Sequence, residues 1–336
     1  MLYLTSRNKN DAYTAHWTLT QDYSPDGGAY VPFKLPELSG EVILALKDKS
    51  FGQNVADILN LFFPAKLTGW DVDVLIGRAP VRFEQMNHRI VVAETWHNLD
   101  NEFSHIVSGL YGRLAESAAV PTEWAQIAIR IAVLFGIWGE LLSAEITDGS
   151  TALDIAVASG DFDAPVAAWY AKAMGLPVGT IICGCADNGA LWDLLHYGSL
   201  SAAAITDDRL ATRIERLIHG ILGLEEAARF AKCRESRSTY TVREDLTGAL
   251  SQGIFAAVIG EERVKSVINS VYRTGTYVID PVGAVAYGGL QDYRASTGES
   301  RLTLLLSDSS PMNQATLVAN AMGITPSALK NRVKLP

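Results

Sequence analysis

VASGDFDAPVAAWYAKAMGLP, residues 157–177, reads as the end of an apolar strand, a glycine turn and an amphipathic helix. That succession is a common way to build an anion cradle, because unpaired backbone N–H groups meet the positive end of the helix dipole there. Yet the turn carries Asp161 and Asp163. A carboxylate about 5 Å from a dianion is repelled by roughly 2 kcal/mol in a water-like medium and about 7 kcal/mol at an effective dielectric near 20. One of the two aspartates is expected to cap the helix instead, since Asp accepts the same N–H groups an anion would use.

Outward from this loop, strands alternate with helices. A strand is expected over 153–158, a helix over about 164–174, and VGTIICGCA forms the next strand, with Cys183 and Cys185 on one face in a structural role. Upstream, DVDVLI and HRIVVAETW are strand-like and GRAPVRF joins them, while helical spacing covers 104–116 and 121–143. Beyond residue 200 the chain is mostly helical, VREDLTGALSQG included, until the buried strand LTLLLSD and two terminal helices. The pattern predicts an α/β protein with a mostly parallel sheet and helices on both faces.

The 336 residues are 48% hydrophobic and 19% charged, with a net charge of −9, which excludes a domain-wide basic field for nucleic acid. Three cysteines fit neither a disulfide framework nor a zinc site and point to a reducing, cytoplasmic setting. The N-terminus has no apolar core of a signal peptide, and WAQIAIRIAVLFGIWGELL, interrupted by Arg130 and Glu140, reads as a buried helix rather than a membrane span. Trp124, Trp138, Trp169 and Trp192 are expected in or near the core, and Arg78, Arg82 and Arg113 at the surface.

Several segments, in order, resemble threonine synthase, a pyridoxal-phosphate (PLP) enzyme of the tryptophan-synthase-β-like fold. SPDGGAYVP is similar to that family's Asp-Gly-Gly-Leu-Tyr-Val-Pro signature, AETWHNLDNEFSH to its His-Gly-Pro-Thr-x-x-Phe-Lys-Asp segment, the opening loop to its Gly-Asn-Phe-Gly phosphate loop, and IDPVGAVAYGGLQDYRA to its Asp-Pro-His-Thr-Ala stretch. The resemblance implies the tryptophan-synthase-β-like fold, with residues 1–100 as an N-terminal region and 101–336 as a large α/β domain with a helical C-terminal part.

The residues that carry the family's chemistry differ. With His97 and Phe103 in register, the lysine that would hold PLP is Ser104 and the following aspartate is His105. Serine has no amine for an imine. In the remnant phosphate loop Ser159, Gly160 and Phe162 match, whereas Asp161 and Asp163 replace asparagine and glycine. The Ser-Gly-Asp-Thr-Gly loop and its mobile subdomain have no counterpart between the 104–116 and 121–143 helices. No PLP, no metal and no catalytic residue is therefore expected. The leading expectation is a pseudoenzyme of amino-acid metabolism acting in binding, regulation or assembly, with a homodimer or protein partner on the truncated face and a small anionic ligand as a further option, away from nucleic acid and membrane. The alternative is an active PLP-dependent lyase turning O-phosphohomoserine into threonine by way of a displaced lysine, or a cofactor-independent enzyme using His97, Ser104 and Asp161; Lys172, in the helix after the loop, is expected as a solvated helix residue.

Overall fold

The computed structural model describes residues 1–336 except 79, 97–102, 117–119, 161, 187–188, 206, 276 and 334–336. Near the N-terminus, β1 (Leu2–Thr5), β2 (Tyr13–Thr14) and β3 (Tyr30–Pro32) make a small antiparallel sheet. The main sheet starts with the antiparallel pair β4 (Arg82–Asn87) and β5 (Ile90–Glu94) and continues with β6 (Leu153–Ala158) and β7 (Val178–Cys185). A two-stranded ribbon, β8 (Ser199–Ser201) with β9 (Thr239–Thr241), precedes β10 (Ile254–Val258) and β11 (Thr303–Ser307). The strand order is β10-β7-β6-β11-β5-β4, parallel except for β4 at the edge.

Continuous apolar runs make these strands, as burial on both faces requires. Val91, Ile155, Ile181 and Leu304 belong to one core, under the helices Phe51–Phe62, Phe103–Ala115, Glu123–Ser143 and Asp163–Ala173. Val92, Ala156, Ile182 and Leu305 belong to the other, under Glu261–Arg273, Pro281–Thr297 and Ala315–Met322. Cys183 and Cys185 share the first core and are fully buried, which fits the structural role expected of them. Helix 123–143 is apolar and long enough to cross a membrane, but 89% of its most apolar window is buried inside the protein, the place of a core helix. Only residues 116–122 separate it from helix 103–115, too few to form a subdomain between them.

Gly184 in β7 lets the 281–297 helix approach closely. A Cβ there would lie 2.0 Å from the carbonyl oxygen of Val285, and one at Gly289 would lie 3.0 Å from the backbone nitrogen of Gly184.

Two local readings are corrected. DVDVLI lies in a helix, Gly69–Ile76, because Thr68 and Asp71 form a capping box: the Asp71 N–H donates to Thr68 Oγ1 at 3.2 Å, and the Thr68 N–H donates to Asp71 Oδ2 at 2.8 Å. The segment read as its joint to β5 supplies Arg82 and Phe83, the first residues of β4, which runs on to Asn87. VREDLTGALSQG makes only a turn, Glu244–Leu246, and the short helix Thr247–Leu250, since Leu250 is its one fully buried apolar anchor in these two elements.

Candidate functional site

The parallel strands β5, β6, β7, β10 and β11 present their carboxyl ends on one edge of the sheet, where the insertion of β11 between β5 and β6 breaks the sequential order. Open α/β sheets place ligand sites there. The loop after β6 is held tightly: Ser159 is buried, its N–H donates to the Gly184 carbonyl at 2.6 Å, and the Phe162 N–H donates to the Ser159 carbonyl at 2.6 Å. Gly160 at φ +43° and Phe162 at φ +72° turn the chain. The φ > 0 residue beside the helix is thus a buried phenylalanine, held in a conformation that glycine adopts at lower cost.

The capping expectation is met in part: Asp161 lies outside the described residues, and Asp163 accepts a helix-start N–H without being the N-cap. The N-cap of helix 163–173 is Phe162, which has no side-chain cap bond, and Asp163 is the first helical residue. Its Oδ1 accepts the Ala164 N–H at 2.7 Å. Pro165, the third helical residue, has no N–H, and the Val166 N–H already reaches the Phe162 carbonyl at 3.2 Å. Of the donors that a helix start offers an anion, that of Ala164 is thus taken by Asp163, that of Val166 by the helix itself, and Pro165 has none.

Arg130 explains how a carboxylate rests there. It projects from the middle of helix 123–143, is 7% exposed, and donates to Asp163 Oδ2 from Nε at 2.8 Å with Nη2 also at 2.8 Å. Its Nη1 donates to Asp308 Oδ2 at 2.5 Å, just past the end of β11. Asp308 Oδ1 in turn accepts the Thr95 hydroxyl at 3.0 Å, just past the end of β5. The guanidinium lies 3.6 Å from the ring centroid of Phe103. The end of β11 and the starts of helices 103–115 and 163–173 thus meet on one cation, with the end of β5 attached through Asp308. Sequence reasoning missed the role of Arg130, treating it only as an interruption of an apolar helix. Arg130 and Glu123 are the two charged residues among the eighteen buried ones of this helix, and a charge within an apolar run is itself a signal that a partner must exist. Pro165 was a second legible signal.

Beside this ion cluster opens a cleft of about 370 Å³, bordered by Ser104, Ser108, Gln126 and Phe103. Ser104 lines it and is exposed. His105, next on the helix, is exposed and is not part of the lining. His97 and Asp161 lie outside the described residues, as does Asp100. The structure thus brings together Ser104 and Asp163 of the expected residues, with Arg130 and Asp308 added. Lys172 sits in the last turn of helix 163–173, its Nζ bonded to the Gly179 carbonyl near the start of β7. Nine residues at about 1.5 Å each put it some 13 Å along the helix from Asp163, toward the opposite edge of the sheet. No lysine lines the cleft among the described residues.

Asp280 lies behind the cleft. It caps helix 281–297, accepting the Val282 N–H at 2.9 Å and the Gly283 N–H at 3.2 Å, with Pro281 at the first helical position. Ser307 donates to it at 3.3 Å. Burial drives its pKa up to about 7, against the lowering effect of those hydrogen bonds. An acid whose folded pKa exceeds its unfolded one favours the fold while protonated. Its contribution is complete below the unfolded value near 3.8 and is lost as pH rises through about 7. Urea denaturation at pH 5 and pH 8 should give wild type a loss at the higher pH on the order of 2–4 kcal/mol larger than Asp280→Asn, which retains a capping oxygen. Equal pH dependence of the two proteins would contradict this assignment.

Comparison with known proteins follows the same outline. The family described as threonine synthase N terminus matches residues 2–79. Threonine synthase-like 1 of Homo sapiens is 26% identical over 202 residues, covering 56% of this chain and 26% of that protein; the Pongo abelii protein gives the same figures. The chain thus spans about a quarter of the length of the curated relatives it matches. Among solved structures, PLP-bound threonine synthase from Brucella melitensis superposes with a TM-score of 0.81 at 17% identity, covering 97% of this chain and 92% of that one. The yeast threonine synthase gives 0.80 at 16% identity, covering 100% and 94%. In the sequence of its N-terminal region and in its fold, the chain is a threonine-synthase-like protein.

Proposed function

We propose that this protein keeps the threonine-synthase-like fold without PLP chemistry and works as a pseudoenzyme in binding, regulation or assembly. One observation carries the reading: at the helix start where the fold's phosphate loop would cradle an anion, Asp163 occupies the Ala164 N–H and is itself neutralised by Arg130. A phosphate dianion placed there meets a resident carboxylate, one donor fewer because of Pro165, and an arginine already engaged by two acids. The residues present do not fit the cofactor. Ser104 at the position of the imine-forming lysine supports the same conclusion, as does the place of Lys172, whose Nζ is bonded to the Gly179 carbonyl away from the cleft.

Titration with PLP checks this directly. The expected result is no visible aldimine band beyond that of scattered surface amines, and after borohydride reduction no single lysine carrying the pyridoxyl group. Stoichiometric labelling of one lysine with a saturable visible band would refute the proposal and restore the lyase reading.

A further inference from the structure

Side chains alternate across the sheet at the end of β5, so the neighbours of Thr95 face away from the cleft. Glu94 and Trp96 line a cavity of about 430 Å³ on that other face, bordered by Tyr272, Gly275, Tyr277 and Val278 and by residues 331–333. Glu94 is fully buried and fully engaged. Its Oε2 accepts Arg82 Nε at 2.7 Å, with Arg82 Nη2 at 2.6 Å, and its Oε1 accepts the Tyr277 hydroxyl at 2.6 Å. This pair therefore offers a ligand little net charge. Two lining charges remain. Glu84 has Arg82, at 3.6 Å, as its one cationic partner among the described residues. Arg332 lies over the Tyr272 ring at 5.2 Å and has no carboxylate partner among the described residues. Between them the walls are aromatic and aliphatic, from Trp96 and Tyr272 to Val278 and Val333.

We propose that this cavity binds a free α-amino acid with an apolar side chain, its carboxylate on Arg332, its ammonium on Glu84, and its side chain against the aromatic wall. The volume falls in the ordinary range of small-molecule sites. Charge decides the class. A simple anion satisfies Arg332 but meets Glu84, a simple cation the reverse, and a neutral aromatic covers both groups without pairing either. A zwitterion pairs both.

Calorimetric titration of the full chain with L-phenylalanine, 3-phenylpropanoate and phenethylamine tests the assignment. Wild type should bind L-phenylalanine most tightly. Glu84→Gln should weaken L-phenylalanine about tenfold and leave 3-phenylpropanoate unchanged or tighter, whereas Arg332→Gln should weaken both and spare phenethylamine. Glu84 has a third of its side chain in solvent and Arg332 is exposed, so both variants should keep the wild-type circular dichroism spectrum. No binding of L-phenylalanine or L-leucine at millimolar concentration overturns the proposal. So does equal weakening of L-phenylalanine and 3-phenylpropanoate by Glu84→Gln.

Discussion

Arg130→Ala is expected to lower the free energy of unfolding by about 3–5 kcal/mol, the usual cost of removing one partner from a buried ion pair. Two carboxylates, Asp163 and Asp308, would be left beside each other with their side chains only 18% and 27% exposed. The stacking on Phe103 would go as well. The triple variant Arg130→Met, Asp163→Asn, Asp308→Asn should recover most of the loss, because it removes the charges together and keeps much of the volume. Urea denaturation of the two variants against wild type measures both figures. A loss below about 1 kcal/mol for Arg130→Ala would mean that the cluster is solvated and does not hold the loop. The result bears on function, since the same arginine makes an acidic residue tolerable at a helix start otherwise suited to anions.

Arg213→Met should cost a similar 3–5 kcal/mol. Arg213 and Glu123 are both fully buried, and the guanidinium clasps the carboxylate with Nε at 3.1 Å and Nη2 at 3.0 Å, Nη2 also reaching Gln126 Oε1 at 3.1 Å. This pair fastens the start of helix 123–143 to the helix Asp208–Leu222. In the single variant Glu123 stays buried with Arg209, 3.7 Å away, and the more distant Arg216 as the remaining cations among the described residues. A double-mutant cycle with Glu123→Gln separates pair from environment: the double variant should be more stable than the sum of the single losses predicts, by 2 kcal/mol or more. Strict additivity would show that the two groups do not interact energetically.

Much of the architecture was legible because the segments that make it are locally unambiguous. IVVA, IAVA, IIC and LLL are unbroken apolar runs, and an unbroken run flanked by helices has few homes other than a doubly covered parallel sheet. The eight residues from Gly69 to Ile76 were less so. Their β-branched composition favours a strand, and a four-residue cap at Thr68–Asp71 tips them into a helix. Within the site, Ser104 and the acidic loop could be read directly. The partners of Arg130 could not, because they lie 33 and 178 residues further along the chain.

The helix 208–222 illustrates the same division. Its apolar spacing was evident, but Arg213, Glu215 and Arg216 on it are also buried, with Glu215 accepting from Ser6 at 2.5 Å and from Arg7 Nε at 3.1 Å in the N-terminal segment. A charge in a sequence reads as solvent-facing until a partner is known.

By itself the amino-acid order determined most strands of the main sheet, most of the helices and the placement of negative charge and a proline at the turn after β6, since each depends on neighbours within a few residues. Tertiary structure alone decided that Asp163 is matched by Arg130, that Asp308 shares the same cation, and that Glu84 and Arg332 border one cavity. The reason is physical: hydrophobic periodicity and capping act over one or two helical turns, whereas Coulomb energy depends on distance in space and on the surrounding dielectric, and folding sets both.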